Sequence, residues 1–247
     1  RVLSRADVVV LLSERELEAY REFAPSAQSR LIANAVDTPD VDLGTGRYAS
    51  DRPLEIVYLG RLAEDKGVLD VVTALRALRD RGIDASLRIA GCGPAEPRLR
   101  EMITTHRLEA HVRLLGAIVG PAKQQLWQSA HVFAFPTLRE GLPYALLESM
   151  AAGAVPVVAP VGAIPEVMQD GIHGLFVPFR NPPALTDALE RLHRDRSALH
   201  RMAVAGRRRI VEHYSIARLA ADFQRVYTGL VPSSAGAPLH RPLRDPD

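Results

Sequence analysis

The stretch LEIVYLGRLAEDKGVLDVVTALRALRDRGIDASLRIA, residues 54–90, carries the pattern that decides the fold. It opens with a six-residue run, Leu54 to Leu59, apolar but for Glu55 and of the length of a buried strand. A polar turn follows, Asp65 precedes a segment over 66–81 with apolar residues at helical spacing, and a second apolar run occupies 86–90. Two strands joined through a helix lie parallel, because a right-handed crossover needs the helix to cover one face of the sheet. The alternation continues outward. Strands are expected near 8–12 and 30–33 upstream, and near 112–115, 131–135, 155–159 and 175–177 downstream. The expected fold is α/β, a doubly wound parallel sheet covered on both faces, with extra helices over 183–194, 195–213 and 215–230.

Local signals place the helices. Ser13 with Glu16 three residues on is a capping box, and Pro94, Pro121, Pro143 and Pro182 sit where a first helical turn accepts proline. In the last helix Ile216, Leu219, Ala220, Phe223, Val226, Tyr227 and Leu230 share one face, which is expected to dock on something. Residues 40–52 look like a polar linker. Residues 231–247, with four prolines and little to pack, are expected to form a disordered tail.

Composition narrows the function classes. The chain has 247 residues, 47% hydrophobic and 24% charged, the make-up of an ordinary globular protein. Lys and Arg total 31 against 29 acidic residues, a net charge of +2, too balanced for a protein whose main partner is nucleic acid or an anionic membrane. The single cysteine, Cys92, excludes an intrachain disulfide and makes a cytoplasmic address the default. Residues 149–165 are uncharged, but Gly153, Pro156, Pro160, Gly162 and Pro165 interrupt them, so no transmembrane segment is expected there. Histidines with zinc spacing are absent. Asp40-Val41-Asp42 lies in the linker, so no metal site is assigned to it.

An open parallel sheet holds ligands at the carboxyl ends of its strands, which directs attention to three strand-to-helix turns. The first, 60–67, puts Arg61 and Lys66 at the positive end of a helix, where a cation is disfavoured by about 0.3 to 1 kcal/mol unless an anion binds. The chain has only two lysines, Lys66 and Lys123, so a surface cation here would ordinarily have been arginine. A phosphate clamp and a chance basic pair are the alternatives. The second turn, Gly91-Cys92-Gly93-Pro94, permits close backbone approach to a ligand but lacks the third glycine of a dinucleotide fingerprint, and a plain tight turn is the simpler account. In the third, 136–148, Glu140 ends the turn, Gly141 and Leu142 can present backbone N–H groups, and Pro143 starts a helix. Tyr144 and Glu148 then share a face, so that Glu148 points back toward the cleft. A carboxylate there suits a vicinal diol, accepting from both hydroxyls of a ribose. The plainer alternatives are a solvated charge for Glu148 and a helix-dipole stabiliser for Glu140.

Gly60-Arg61 with Lys66-Gly67, Glu140-Gly141-Leu142-Pro143 with Glu148 at E-x7-E spacing, residues 151–156, Pro165-Glu166 and residues 174–178 together resemble the donor-binding, carboxyl-terminal half of family-4 glycosyltransferases. These are retaining enzymes of the GT-B architecture. Asn34-Ala35-Val36-Asp37 is similar to that family's Asn-Gly-Val-Asp element, with Ala35 in place of glycine, and Ala163 stands where a second glycine is usual. The resemblance implies catalytic roles for Arg61, Lys66 and Glu140. Arg61 and Lys66 would hold the diphosphate of a UDP-, GDP- or ADP-sugar, and Glu140 the transferring sugar with Gly141, Leu142 and Pro143 beside it. Glu148 would take the ribose, while Gly91, Gly93, Ala117 and Ile118 would frame the base. No cofactor is implied. The implied organisation is a remnant of an acceptor-binding domain over 1–33, a hinge and linker over 34–52 and a Rossmann-like nucleotide-sugar domain over 53–214. A crossover helix over 215–230 completes it. The rest of the acceptor domain would lie outside this chain, peripheral membrane contact would run through it, and the chain alone would be inactive. The alternative is a module that binds nucleotide without catalysis, and a sugar-nucleotide epimerase is a weaker third reading.

Overall fold

A computed structural model of the chain describes residues 6–230, so the tail expected over 231–247 lies outside the described residues. The described part begins with β1 (Val9–Leu11), α1 (Glu14–Phe23) and β2 (Ser29–Leu31), the two strands pairing in parallel as a small sheet of their own. The second sheet is built from β3 (Leu54–Leu59), α2 (Val68–Asp80), β4 (Ala85–Ala90), α3 (Glu96–Thr105), β5 (Val112–Leu114), α4 (Gly120–Gln128), β6 (Val132–Phe135), α5 (Tyr144–Ala151), β7 (Val155–Val158), α6 (Ile164–Val167) and β8 (Leu175–Phe176). Three helices follow, α7 (Pro182–Arg194), α8 (Arg196–His213) and α9 (Ile216–Leu230).

All six strands of this sheet run parallel in the order β5-β4-β3-β6-β7-β8. Ile56, Val57, Val132, Phe133, Val155 and Val157 are wholly buried. Strands covered on both faces read as continuous apolar runs, which is why the pattern of residues 54–90 was so legible. Helix α2 packs with α3 and α7, and α5 with α8. The strand order reverses between β3 and β6. These two are neighbours in space but separated in sequence by two strands, and the crevice outside their carboxyl ends is the ligand position of a doubly wound sheet.

Several local expectations are corrected. The helix expected from residue 66 starts at Val68; residues 64–66 form a 3₁₀ turn, and Gly67 takes a φ of 71°. A Cβ at Gly67 would lie 2.3 Å from the Pro136 carbonyl oxygen, so the turn packs tightly on the β6 loop. Pro94 falls in the turn before α3, whose first helical turn carries Pro97 instead, and Pro143 caps α5 from outside. Ser13 accepts from the Glu16 N–H at 3.1 Å, but the Glu16 carboxylate reaches past Ser13 to the Leu12 N–H at 3.0 Å.

Residues 40–52 are not a linker. A 3₁₀ turn over Thr45–Tyr48 buries Tyr48, whose hydroxyl donates to the Gly153 carbonyl at 2.8 Å. The Arg47 guanidinium donates to the carbonyls of Ala152 and Ala130, each at 2.7 Å, and of Trp127 at 3.2 Å. Those oxygens belong to the ends of α4 and α5, where helices leave carbonyls without intrahelical partners. The polar composition serves as a cap for two helix ends. The apolar face of α9 is only partly covered: none of its residues is buried, Leu219, Phe223 and Val226 are half-buried, and Ile216, Tyr227 and Leu230 stand exposed.

Candidate functional site

Backbone hydrogen bonds knit the turns at the carboxyl edge of the sheet. The Gly60 N–H donates to the Ala90 carbonyl, that of Leu62 to Cys92 and that of Gly91 to Gly116, at 3.0, 2.9 and 2.7 Å. On the other side of the crevice the Leu138 N–H donates to Asp65 at 2.8 Å and the Ala163 N–H to Gly141 at 2.9 Å. The two glycines of the second turn serve this knitting. A Cβ at Gly91 would lie 1.9 Å from the Gly60 carbonyl oxygen, and one at Gly93 2.4 Å from that of Leu62. Their lack of side chains admits protein backbone. Ala163 needs no glycine geometry, having a φ of −86°, and Ala35 is simply buried.

Arg61 and Lys66 leave the same turn differently. The Arg61 side chain is 60% exposed, and its guanidinium pairs with Asp65 at 3.1 Å. Its own carbonyl is held by the Tyr58 hydroxyl at 2.8 Å. Burial first, and then the carboxylates of Glu140 and Asp65, hold the Tyr58 phenol well above its ordinary pKa. Lys66 is largely buried, donating to the Arg139 carbonyl at 2.8 Å and forming an ion pair with Glu140. The cation at the start of α2 is therefore neutralised within the protein, and Glu140 is a charge partner across the β3/β6 switch point.

Glu148 is not a solvated charge. Its Oε1 accepts from Lys123 Nζ at 2.7 Å and its Oε2 from Trp127 Nε1 at 3.2 Å. With Tyr144 it lines a cleft of about 340 Å³ between α4, α5 and the segment that follows Ala35, which Ile216 closes from α9. That cleft does not reach Arg61, Lys66 or Glu140. Gly141 is exposed and Leu142 buried, with the Asn34 side-chain amide donating to the Leu142 carbonyl at 2.8 Å. Ala117 is exposed and Ile118 half-buried, beyond the Gly116 carbonyl that joins their loop to Gly91.

Two further contributors were not assigned roles from sequence. Lys123 was legible only as one of two lysines in an arginine-rich chain. Glu166 accepts from the N–H groups of Glu14 and Arg15 at 2.9 and 3.4 Å, capping α1 from the far side of the crevice and holding it beside Gly141. Among the described residues no group of three or more His, Cys, Asp or Glu side chains converges to hold a metal, and Asp42 is occupied by the Gly44 N–H at 2.7 Å. No described helix is long and apolar enough to cross a membrane.

The sequence profile of the family described as glycosyl transferases group 1 matches residues 47–209. The chain is 30% identical over 244 residues to the GDP-mannose-dependent alpha-(1-6)-phosphatidylinositol monomannoside mannosyltransferase of Mycobacterium tuberculosis, covering 91% of this chain and 63% of that one. It is 30% identical over 210 residues to the alpha-D-kanosaminyltransferase of Streptomyces kanamyceticus, covering 81% and 54%. Sucrose-phosphate synthase of Thermosynechococcus elongatus has the same fold over 94% of this chain and 60% of that one, with a TM-score of 0.79 at 24% identity. HepE of Anabaena, solved with UDP, superposes over 93% and 65%, with a TM-score of 0.78 at 16% identity. The chain spans 35% to 63% of the lengths of the curated relatives it matches.

Proposed function

The chain belongs to the group 1 glycosyl transferases, and from that premise we infer that it is the donor-binding part of an enzyme that transfers a hexosyl group from a nucleoside diphosphate with retention of anomeric configuration. The observation that carries this reading is the bridge from Lys66 to Glu140 across the switch point. It sets a cation and a carboxylate together where the sheet presents its ligands, with the exposed Arg61 on the same turn.

In this reading Arg61 and Lys66 take the diphosphate, Glu140 with Gly141, Leu142 and Pro143 takes the hydroxyls of the transferring sugar, and Glu148 the ribose. The loops carrying Gly91, Gly93, Ala117 and Ile118 frame the base. As the bond from the anomeric carbon to the leaving oxygen lengthens, charge builds on the diphosphate while the sugar becomes oxocarbenium-like. Two cations brought beside that oxygen stabilise the charge more in the transition state than in the ground state. They supply this without a divalent ion. Retention follows if the acceptor attacks from the face the diphosphate leaves, with the acceptor held by a further domain. UDP in HepE and GDP-mannose in the name of the mannosyltransferase support a UDP- or GDP-sugar as donor.

Titration calorimetry with UDP, GDP and ADP tests the reading. One of them binds the wild type, and the Arg61→Ala, Lys66→Ala double variant binds it at least tenfold more weakly, since each charge-assisted contact is worth about 1.5 to 3 kcal/mol. Affinity is the same in EDTA as in magnesium. Equal affinity of wild type and double variant overturns the clamp.

A further inference from the structure

The chain's two lysines each meet one glutamate of the E-x7-E element, Lys66 with Glu140 and Lys123 with Glu148. The other 29 basic residues are arginines. Lys123 stands in the first turn of α4 and Trp127 one turn on, so both side chains project from the same side of the helix. They reach different atoms of one carboxylate, Lys123 the Oε1 and Trp127 the Oε2 of Glu148.

An ionised carboxylate offers about four lone-pair positions, two on each oxygen. The two donors take one position from each oxygen and leave one on each. That remainder matches a vicinal diol, whose hydroxyls donate one to each oxygen. An arginine in place of Lys123 would present a planar fork that engages both oxygens at once, whereas the ammonium is a point donor that engages one. The Glu148 side chain is only 19% exposed, so a nucleoside above it would remove what water remains, and a carboxylate stripped of water needs a cation beside it.

We propose that Lys123, with Trp127, is a positioning residue that sets the Glu148 carboxylate as the acceptor for the ribose diol of the nucleoside diphosphate. This rests on the reading of Glu148 as the ribose partner. Two donors on one side chain fix its rotamer before the ligand arrives, so less ordering remains to be done on binding.

Trp127 is the chain's sole tryptophan, so its emission reports directly on this carboxylate. Wild type, Glu148→Gln, Lys123→Met and Lys123→Arg are titrated with UDP, GDP and ADP and with their 2′,3′-dideoxy counterparts, by calorimetry and tryptophan fluorescence. Circular dichroism melts of each variant verify folding. For the wild type, the ribonucleotide binds at least tenfold more tightly than its dideoxy form and shifts the emission. Lys123→Met and Lys123→Arg each weaken the ribonucleotide about tenfold, change the dideoxy affinity less than twofold, and so collapse the ribose preference. If Glu148→Gln loses affinity while Lys123→Met keeps it, this inference alone fails. It also fails if Lys123→Met weakens both nucleotide forms equally, the signature of a merely structural role, or if Lys123→Arg binds as the wild type does. If the wild type binds none of UDP, GDP and ADP, or Glu148→Gln binds as the wild type does, the ribose reading fails and this falls with it.

Discussion

Glu140 competes with any anion for Lys66, and the contest has a measurable consequence. With Glu140→Gln the ammonium loses its charged partner but keeps the Arg139 carbonyl, so a free nucleoside diphosphate meets a less compensated cation. Free diphosphate should bind that variant as tightly as the wild type or up to about tenfold more tightly, a gain within the range of one charge-assisted contact. The extra affinity contributed by an attached sugar should be lost. Calorimetry with nucleotide and nucleotide sugar separates the two, and weaker binding of the free nucleotide contradicts the division of roles. At the opposite end of the sheet His131 is held neutral. Its Nδ1 accepts from the Glu55 N–H at 3.1 Å and its Nε2 donates to the Arg47 carbonyl at 2.8 Å. Burial, aided by the Arg196 and Arg47 charges against the Arg47 carbonyl and Glu55, pushes its pKa down to about 4. An unfolded histidine titrates near 6.5, so between about pH 6.5 and 4 the unfolded chain binds a proton that the folded chain does not, and stability falls as pH falls. Urea denaturation at pH 7 and pH 4.5 should show the wild type losing about 2 to 3 kcal/mol more than His131→Gln over that interval. Parallel losses would mean that His131 is not the group responsible.

At the scale of elements, a pattern was readable where burial alone wrote it and obscure where hydrogen bonding did. The strands of the six-stranded sheet fell within a residue or two of their expected places because the central strands are covered on both faces and the runs are predominantly apolar. The start of α2 was misplaced because Gly67 answers to Pro136, 69 residues on, and no local spacing records that contact. The three candidate turns were found, but the partners of their charged groups were not. Lys66 to Glu140 and Lys123 to Glu148 are pairings between elements remote in sequence. The strap over residues 45–48 was missed for the same reason, since its arginine reads as solvated when it in fact closes the ends of two helices. Arg47→Ala removes donors from the carbonyls of Trp127, Ala130 and Ala152 together. Leaving buried acceptors unsatisfied costs about 1 to 3 kcal/mol each at the upper limit, and water that enters the vacated space recovers part of it. The expected loss is about 2 to 4 kcal/mol in urea denaturation. A loss below about 0.5 kcal/mol would show that the carbonyls find other partners.

For the whole molecule, the decisive question is which half of the reaction these residues can perform. In the proposed reading the two cations, the turn at Glu140 and the Glu148 carboxylate, between the carboxyl edge of the sheet and the cleft beside α5, all face a donor. Beside Gly141 stands α1, held by Glu166, with Glu16 its nearest side chain there. By the family resemblance, residues 1–33 correspond to the edge of an acceptor domain. Transfer requires an acceptor hydroxyl aligned on the anomeric carbon, and positioning of that kind supplies about 7 to 11 kcal/mol of a barrier. Water in an open crevice is a poor substitute, because nothing excludes the bulk solvent that screens Arg61 and Lys66. The 247-residue chain should therefore bind its donor saturably yet transfer no sugar to lipid, glycan or small-molecule acceptors. Transfer should appear when an acceptor-binding domain from a relative is supplied in cis or in trans. A radiolabelled-sugar assay run with and without that domain decides the matter, and steady turnover by the chain alone would show that it holds the acceptor as well as the donor.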